Sequence, residues 1–489
     1  MDIIAISLLI VSLVIFYIFI FFSRSFFGVW LTEVGLLISG LPIAIIIASA
    51  VYISRYAFDL DERLNVILFV VCIILDFAVL LRVFIPFFYI RRTNRMLHET
   101  MEENLGTDYL QYIDPFIESS YIKNVRFQFK QYFVGIRKRI YSKTVEKIKN
   151  VVYKEVEGKE LKLDIYKPRR DGKFPIIIFI HGGGFVVGSK DNRKNERLGY
   201  MLADLGYTVL SVDYRLTPLK YLTSKKANLK EDLLICNMVA DIRDAILYAQ
   251  IHANEIKGNP MELFLFGRSA GGHLALLTAV SCFGKFYGLD STIDGKVIEY
   301  KILGVVAFYA VTDFTSLFNY YGKQNLAQLI MDRSVGGTPD TIQYYYSAFS
   351  PITYVTEKNR NSIPPVFLAT GGKDRMVSPE QSRSLYDRLQ AIDIQSVLLD
   401  LPWANHAFDN IISGPGGQLV LKYLSQFLVW VITQNKLKMI DEMALEQGLG
   451  DIVSREKFEI IQKLRDYEIS EVNDIHEFLE KLDIQYAKS

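Results

Sequence analysis

At 489 residues the chain is too long for one typical domain, and its formal net charge of +1 excludes a bulk electrostatic preference for nucleic acid or for acidic partners. Half of its residues are hydrophobic, which suits a large core together with membrane segments. Its three cysteines, Cys72, Cys236 and Cys282, are too few and too scattered for a disulfide framework or a metal-ligand spacing, so no metal site is expected.

Three apolar runs open the chain and predict transmembrane helices at about 3–22, 29–54 and 64–90, within a membrane region of residues 1–95. Runs of roughly 18 to 25 apolar residues cross a hydrocarbon core of about 30 Å as helices. Only helices satisfy their own backbone groups within a single spanning segment. The first run lacks a basic leader and a small-residue cleavage site, so it reads as an anchor rather than a signal peptide. Asp76 and Arg82 interrupt the third run, and Arg91, Arg92 and Arg95 follow it. By the positive-inside rule these arginines predict a multi-pass protein with its large domain on the cytoplasmic side.

Residues 96–150 read as a juxtamembrane linker. Between Tyr121 and Lys149 nine lysines and arginines, including Lys143, Lys147 and Lys149, face only Glu146, with Phe127, Phe129 and Tyr132 among them. Such a segment suits an anionic lipid interface. No recognition module accompanies it, so nucleic acid is not an expected partner.

From 151 to 435 short apolar strands alternate with helical stretches. Strands are predicted at 151–156, 161–166, 176–180, 208–212, 263–266, 302–310, 366–370 and 396–401, which implies a mostly parallel sheet covered on both faces. Four motifs fall at strand ends, where loops build sites in such folds. Gly267-Arg268-Ser269-Ala270-Gly271 lies between a strand and a helix, the setting of a nucleophile elbow. His181-Gly182-Gly183-Gly184 offers backbone N–H groups free of side chains. Gly371-Gly372-Lys373-Asp374 and Asn405-His406 supply a carboxylate and an imidazole. The order is oxyanion loop, Ser, Asp, His. The residues expected to act are Ser269, Asp374 and His406, with backbone amides of the glycine turn and of Ala270 as oxyanion donors. His181 is expected to brace its loop; His98, His252 and His476 read as structural or surface residues. Residues 312–350, rich in Tyr and Phe, are readable as a cap over an acyl pocket or as a plain insertion. Residues 436–489 read as a charged helical appendage.

On these motifs, with Asp213-Tyr214-Arg215 and Ser350-Pro351, residues from about 145 to 433 resemble the hormone-sensitive-lipase-like esterases of the α/β-hydrolase superfamily. The resemblance implies the α/β-hydrolase fold, a Ser-His-Asp esterase without a cofactor, and an ester substrate, apolar or lipid-like if the anchor bears on it. Gly183 and Gly184 as oxyanion donors come from that resemblance. Thr217–Leu234 departs from the family in being longer and more basic. A peptidase or a deacetylase on the same fold, and a non-catalytic membrane scaffold, remain alternatives at this stage.

Overall fold

A computed structural model of the chain describes residues 3–20, 39–112, 143–218, 234–281, 292–293, 296–297, 301–320 and 326–447, with Val453, Ile460, Phe478 and Leu479. Most of the predicted basic aromatic segment, most of the Thr217–Leu234 insertion, Cys282 and His476 lie outside the described residues.

The apolar N-terminal runs form helices α1 (Ile3–Ile20), α2 (Gly40–Tyr56) and α3 (Arg63–Leu105). Among the described residues α3 alone is long and apolar enough to cross a membrane; α1 and α2 are shorter apolar helices. Both pack mainly against α3. Phe69, Cys72, Val79 and Val83 are buried there, while Ile67, Ile74 and Phe77 are exposed on the other side of α3. The Ser12 hydroxyl donates to the buried Asp76 carboxylate at 2.8 Å, so the charge-bearing residue of the third run turns toward α1.

The third helix corrects two expected boundaries. It does not stop at residue 90 but runs unbroken through Pro86 to Leu105, so 96–105 is helix rather than linker. The physical reason is a buried stripe, Ile90, Leu97, Met101 and Leu105, recurring at helical spacing among charged residues and packed into the core of the following domain.

That domain is built on an eight-stranded sheet. Its strands are β1 (Val145–Val156), β2 (Lys159–Pro168), β3 (Phe174–Ile180), β4 (Thr208–Val212), β5 (Gly258–Arg268), β6 (Ile302–Phe308), β7 (Val366–Gly371) and β8 (Ser396–Leu401). The order is β1-β2-β4-β3-β5-β6-β7-β8, with β2 antiparallel to both neighbours and β3 to β8 mutually parallel. Helices α4 (Arg193–Asp204) and α11 (Pro415–Glu446) cover one face. Helices α5 (Leu234–Ile251), α6 (Ala270–Val280) and α10 (Pro379–Gln390) cover the other. The central strands are fully buried over Ile176–Ile180 and Leu263–Phe266, which is why those stretches read as continuous apolar runs. Three short helices, α7 (Phe314–Tyr320), α8 (Leu326–Val335) and α9 (Pro339–Ala348), form the insertion between β6 and β7.

Two further boundaries differ from expectation. Strand β1 begins at Val145, not Val151, and Lys147 is no linker residue: its ammonium lies 3.0 Å from Asp164 and 2.9 Å from Glu196, almost fully buried. A lysine that pairs across a sheet looks in sequence like one more basic residue. At the other end α11 runs past 436 to Glu446, with Leu437, Ile440 and Ala444 buried, so the expected appendage begins inside a core helix.

Candidate active site

The turn after β5 forces Ser269 into an unusual backbone. Its φ is 53° and ψ −120°, a conformation that L residues rarely adopt, and α6 begins at the next residue. The turn is tight enough that a Cβ on Gly267 would overlap the carbonyl of Gly271, and one on Gly271 would overlap the carbonyl of Ile180. Any side chain at either position would push the elbow open. The Ser269 N–H donates to Phe308 O at 2.8 Å, tying the elbow to the end of β6.

The structure brings the three distant side chains into one row. His406 Nε2 lies 3.0 Å from Ser269 Oγ and its Nδ1 lies 2.7 Å from Asp374 Oδ2. The other carboxylate oxygen, Oδ1, accepts the N–H groups of Met376 and Val377 at 2.8 and 2.9 Å. The carboxylate is therefore clamped from one side and presents one lone-pair face to the imidazole. Asp374 and His406 are buried, and Ser269 is half-buried.

The glycine turn after β3 lies against the elbow. A Cβ on Gly182 would stand 2.7 Å from Arg268 O and 3.3 Å from the Ser269 Cβ. Gly183 has a φ of 143°, which glycine alone adopts without strain, and Gly184 has a φ of 60°, in the left-handed region that favours glycine. Ala270 is the first residue of α6, where helix amides lack intrahelical acceptors. Behind the turn, His181 is stacked on Tyr214 at 4.5 Å between ring centroids, and the Tyr214 hydroxyl donates to His181 O at 2.8 Å. Burial pulls the His181 imidazole down to about 4, so it is neutral near pH 7. It supports the loop, as the sequence suggested. His98 pairs with Tyr109 at 2.8 Å and His252 with Glu255 at 3.1 Å, both away from this site.

Sequence reasoning missed the group behind the imidazole. The Tyr309 ring packs on His406 at 4.5 Å between centroids. Its hydroxyl donates to Asp409 Oδ1 at 2.5 Å, and Asp409 Oδ2 lies 2.5 Å from Arg268 Nη2. Arg268 also donates to Asn195 at 3.2 Å. Burial, then the adjacent Asp409 carboxylate, hold the Tyr309 phenol well above its usual range, so it stays a donor. These residues are spread over the chain, and the only local hint was the arginine inside the serine motif.

The insertion also touches this region. Phe314 of α7 lies 5.9 Å from Phe185, the residue after the glycine turn, and Thr217 meets Ser334 of α8 at 3.0 Å. Among the described residues there is no cluster of metal-ligating side chains.

Sheet order, strand directions and a serine elbow after β5 are those of the α/β-hydrolase fold. The BD-FAE family profile matches residues 163–389, a span that holds Ser269 and Asp374 and ends before His406. The chain is 29% identical over 282 residues to a probable carboxylic ester hydrolase, LipM, of Mycobacterium tuberculosis, covering 56% of this chain and 59% of that protein. It is 25% identical over 246 residues to a probable isoprenylcysteine alpha-carbonyl methylesterase, ICMEL2, of Arabidopsis thaliana, covering 49% and 52%. The chain thus spans less than two thirds of either relative. Among solved structures, esterase B from Lactobacillus rhamnosis aligns with a TM-score of 0.48 at 20% identity, covering 68% of this chain and 99% of that one.

Proposed function

We propose that the protein is a membrane-anchored serine hydrolase that cleaves carboxylic esters through an acyl-enzyme, with Ser269 as nucleophile. The observation that carries this reading is the continuous hydrogen-bonded row of 2.7 and 3.0 Å from Asp374 through His406 to Ser269. In it the Ser269 hydroxyl attacks the ester carbonyl while His406 Nε2 takes its proton. Asp374 holds the proton on Nδ1 and stabilises the imidazolium. The amides of Gly183, Gly184 and Ala270 receive the developing oxyanion, and each such donor is worth roughly 3 to 4 kcal/mol of barrier. His406 then returns the proton to the departing alcohol, and water admitted to the same position releases the acid. No cofactor enters this scheme.

Esters are favoured over amides because the relatives LipM and ICMEL2 are named for ester cleavage. Anchoring rests on the exposed apolar sides of α1, α2 and α3, where Ile10, Leu13, Leu41, Ile47, Ile67 and Ile74 would otherwise face water. On the positive-inside rule, Arg91, Arg92 and Arg95 assign the domain to the cytoplasmic side.

The test is labelling and turnover of the full-length protein. A fluorophosphonate is expected to label the wild type and not Ser269→Ala. The same variant should lose about 10⁶-fold in kcat toward a short aryl ester while keeping its circular dichroism spectrum. Labelling at another residue, or near-full turnover by Ser269→Ala, would overturn the assignment.

A further inference from the structure

Arg268 closes β5 directly before Ser269, and Asp409 stands three residues after His406. Their side chains meet at 2.5 Å between Nη2 and Oδ2, with only 4% and 3% of them exposed. A buried ion pair is a weak source of stability, because taking both charges out of water offsets most of their attraction. An apolar pair of similar shape would hold a loop as firmly. What the charged pair adds is geometry, since a guanidinium fork and a carboxylate accept each other in few arrangements. This pair spans the two loops that carry Ser269 and His406.

The surrounding contacts reach the remaining loops of the site. On one side Arg268 donates to Asn195 Oδ1 at 3.2 Å, and the Asn195 amide donates to Ser189 O at 2.8 Å, in the segment that follows the glycine turn. The guanidinium also lies over the Phe179 ring of β3, 5.4 Å from its centroid. On the other side Asp409 Oδ1 accepts the Tyr309 hydroxyl, and the Tyr309 ring rests on the imidazole of His406. The Tyr309 N–H donates to Ala369 O at 2.6 Å, on the strand that leads to Asp374. The loops of Gly183, Ser269, Asp374 and His406 are therefore connected through one buried group.

Backbone strain marks the same places. Tyr309 has a φ of 39°, and Ala407, next to His406, a φ of 59°. Residues that bear a side chain keep such conformations only where their surroundings hold them, and they gather at functional sites. Phe408 packs on Tyr309 at 5.6 Å between ring centroids, and the chain turns there so that Asp409 reaches Arg268.

We propose that Arg268 and Asp409, with Tyr309, are positioning residues that set the His406 imidazole against Ser269 and balance the charge behind it. The proposal rests on the serine-hydrolase reading above and adds to it a second group on which turnover depends. Arg268 and Asp409 act through the ring of Tyr309 and the backbone of their own loops, not on the reacting atoms. The carboxylates of Asp409 and Asp374 and the guanidinium of Arg268 surround the Tyr309 phenol, and Lys194 of α4 faces the pair from the neighbouring helix. Losing Asp409 alone leaves the Arg268 charge uncompensated, and an uncompensated cation opposes protonation of a nearby imidazole.

The test is turnover of a short aryl ester by the full-length protein, counted per Ser269 labelled by a fluorophosphonate, so that unfolded molecules drop out. Asp409→Asn keeps an acceptor for the Tyr309 hydroxyl and removes the charge. Its kcat per labelled site is expected to fall about 10- to 100-fold with KM little changed. The acidic limb of its kcat/KM profile, set by loss of the neutral imidazole, should move to lower pH by roughly half a unit to one unit. Arg268→Gln is read beside it, with a similar fall in kcat. Arg268→Lys keeps the charge and should leave the limb in place. With both Arg268→Gln and Asp409→Asn the two charges are gone, so the limb should return to its wild-type position. The kcat of that double variant should stay near that of either single one, because the two residues act as a unit. A pair that is merely structural would lower the melting temperature and the labelled fraction while kcat per site and the limb stay at their wild-type values, and that result overturns the proposal. A double variant whose loss is the product of the two single losses overturns it as well. Wild-type protein that does not label at Ser269 refutes the serine-hydrolase reading and the proposal together, whereas labelled variants with unchanged turnover refute the positioning role alone.

Discussion

Replacing Tyr309 by phenylalanine removes one hydroxyl and leaves Asp409 Oδ1 without its donor in a buried place. A stability loss of about 1 to 3 kcal/mol is expected, read as a lower urea midpoint at unchanged slope. The row of Ser269, His406 and Asp374 stays chemically complete in that variant, so its kcat should fall far less than in Asp374→Asn. That second substitution keeps an acceptor for the N–H groups of Met376 and Val377 but turns an amide toward His406 Nδ1, which selects the wrong tautomer. Its kcat toward an aryl ester should fall by roughly 10⁴-fold with little change in the melting temperature.

The buried imidazoles predict a pH dependence of stability. His181 and His273 are both drawn down from 6.5 to about 4 by burial. A base whose folded-state pKa is depressed is neutral in the folded chain while already protonated in the unfolded one. Stability is therefore full above about pH 6.5, is lost progressively as pH falls toward about 4, and is flat below that for these two groups. Each contributes on the order of 3 kcal/mol to the loss. Urea denaturation between pH 7 and 4 should show the midpoint falling, and His273→Gln should shallow the slope.

Strand β1 and the loop after β3 illustrate the element scale. Asp164 on β2 receives Lys147 from β1 at 3.0 Å, Lys190 at 2.9 Å and the Asn150 N–H at 2.9 Å, and the carboxylate and both ammonium groups are nearly inaccessible to water. Such a cluster joins the antiparallel margin of the sheet to the segment that follows the glycine turn. Removing its one central carboxylate leaves the buried Lys190 ammonium with only the Asn150 side-chain oxygen and Lys147 with Glu196 alone, so Asp164→Ala is expected to cost about 3 to 5 kcal/mol, seen as a large drop in the denaturation midpoint. Lys147 reads as linker charge in the sequence because its partner is supplied by a neighbouring strand. The helical stripe within residues 90–105 is equally hard to read, since Arg91, Arg92, Arg95 and Glu99 alternate with the four buried positions. The strands themselves are legible wherever both faces are covered, because every position must then be apolar.

For the molecule as a whole, α3 is the joint between the apolar bundle and the sheet-bearing domain, and it is also part of the domain's core. Leu97, Met101, Leu105 and Tyr109 are buried against α11 and the sheet. Full burial of each side chain is worth about 1.5 to 3 kcal/mol. A fragment beginning at Lys143 should therefore melt well below one beginning at Val83, or aggregate, although both contain the whole sheet. Equal melting temperatures for the two would show that the helix is dispensable.

The sequence by itself determined the sheet's apolar strands and the apolar character of the N-terminal helices, and it singled out Ser269, Asp374 and His406. All of these rest on local pattern: periodicity, glycine spacing and position at a strand end. Only the tertiary structure decided the distances between those side chains, the Tyr309–Asp409–Arg268 group behind the imidazole, the burial of Lys147 and the passage of α3 into the core. The reason is that a buried polar side chain is chosen by its partner, and the partner is brought near by the fold from elsewhere in the chain.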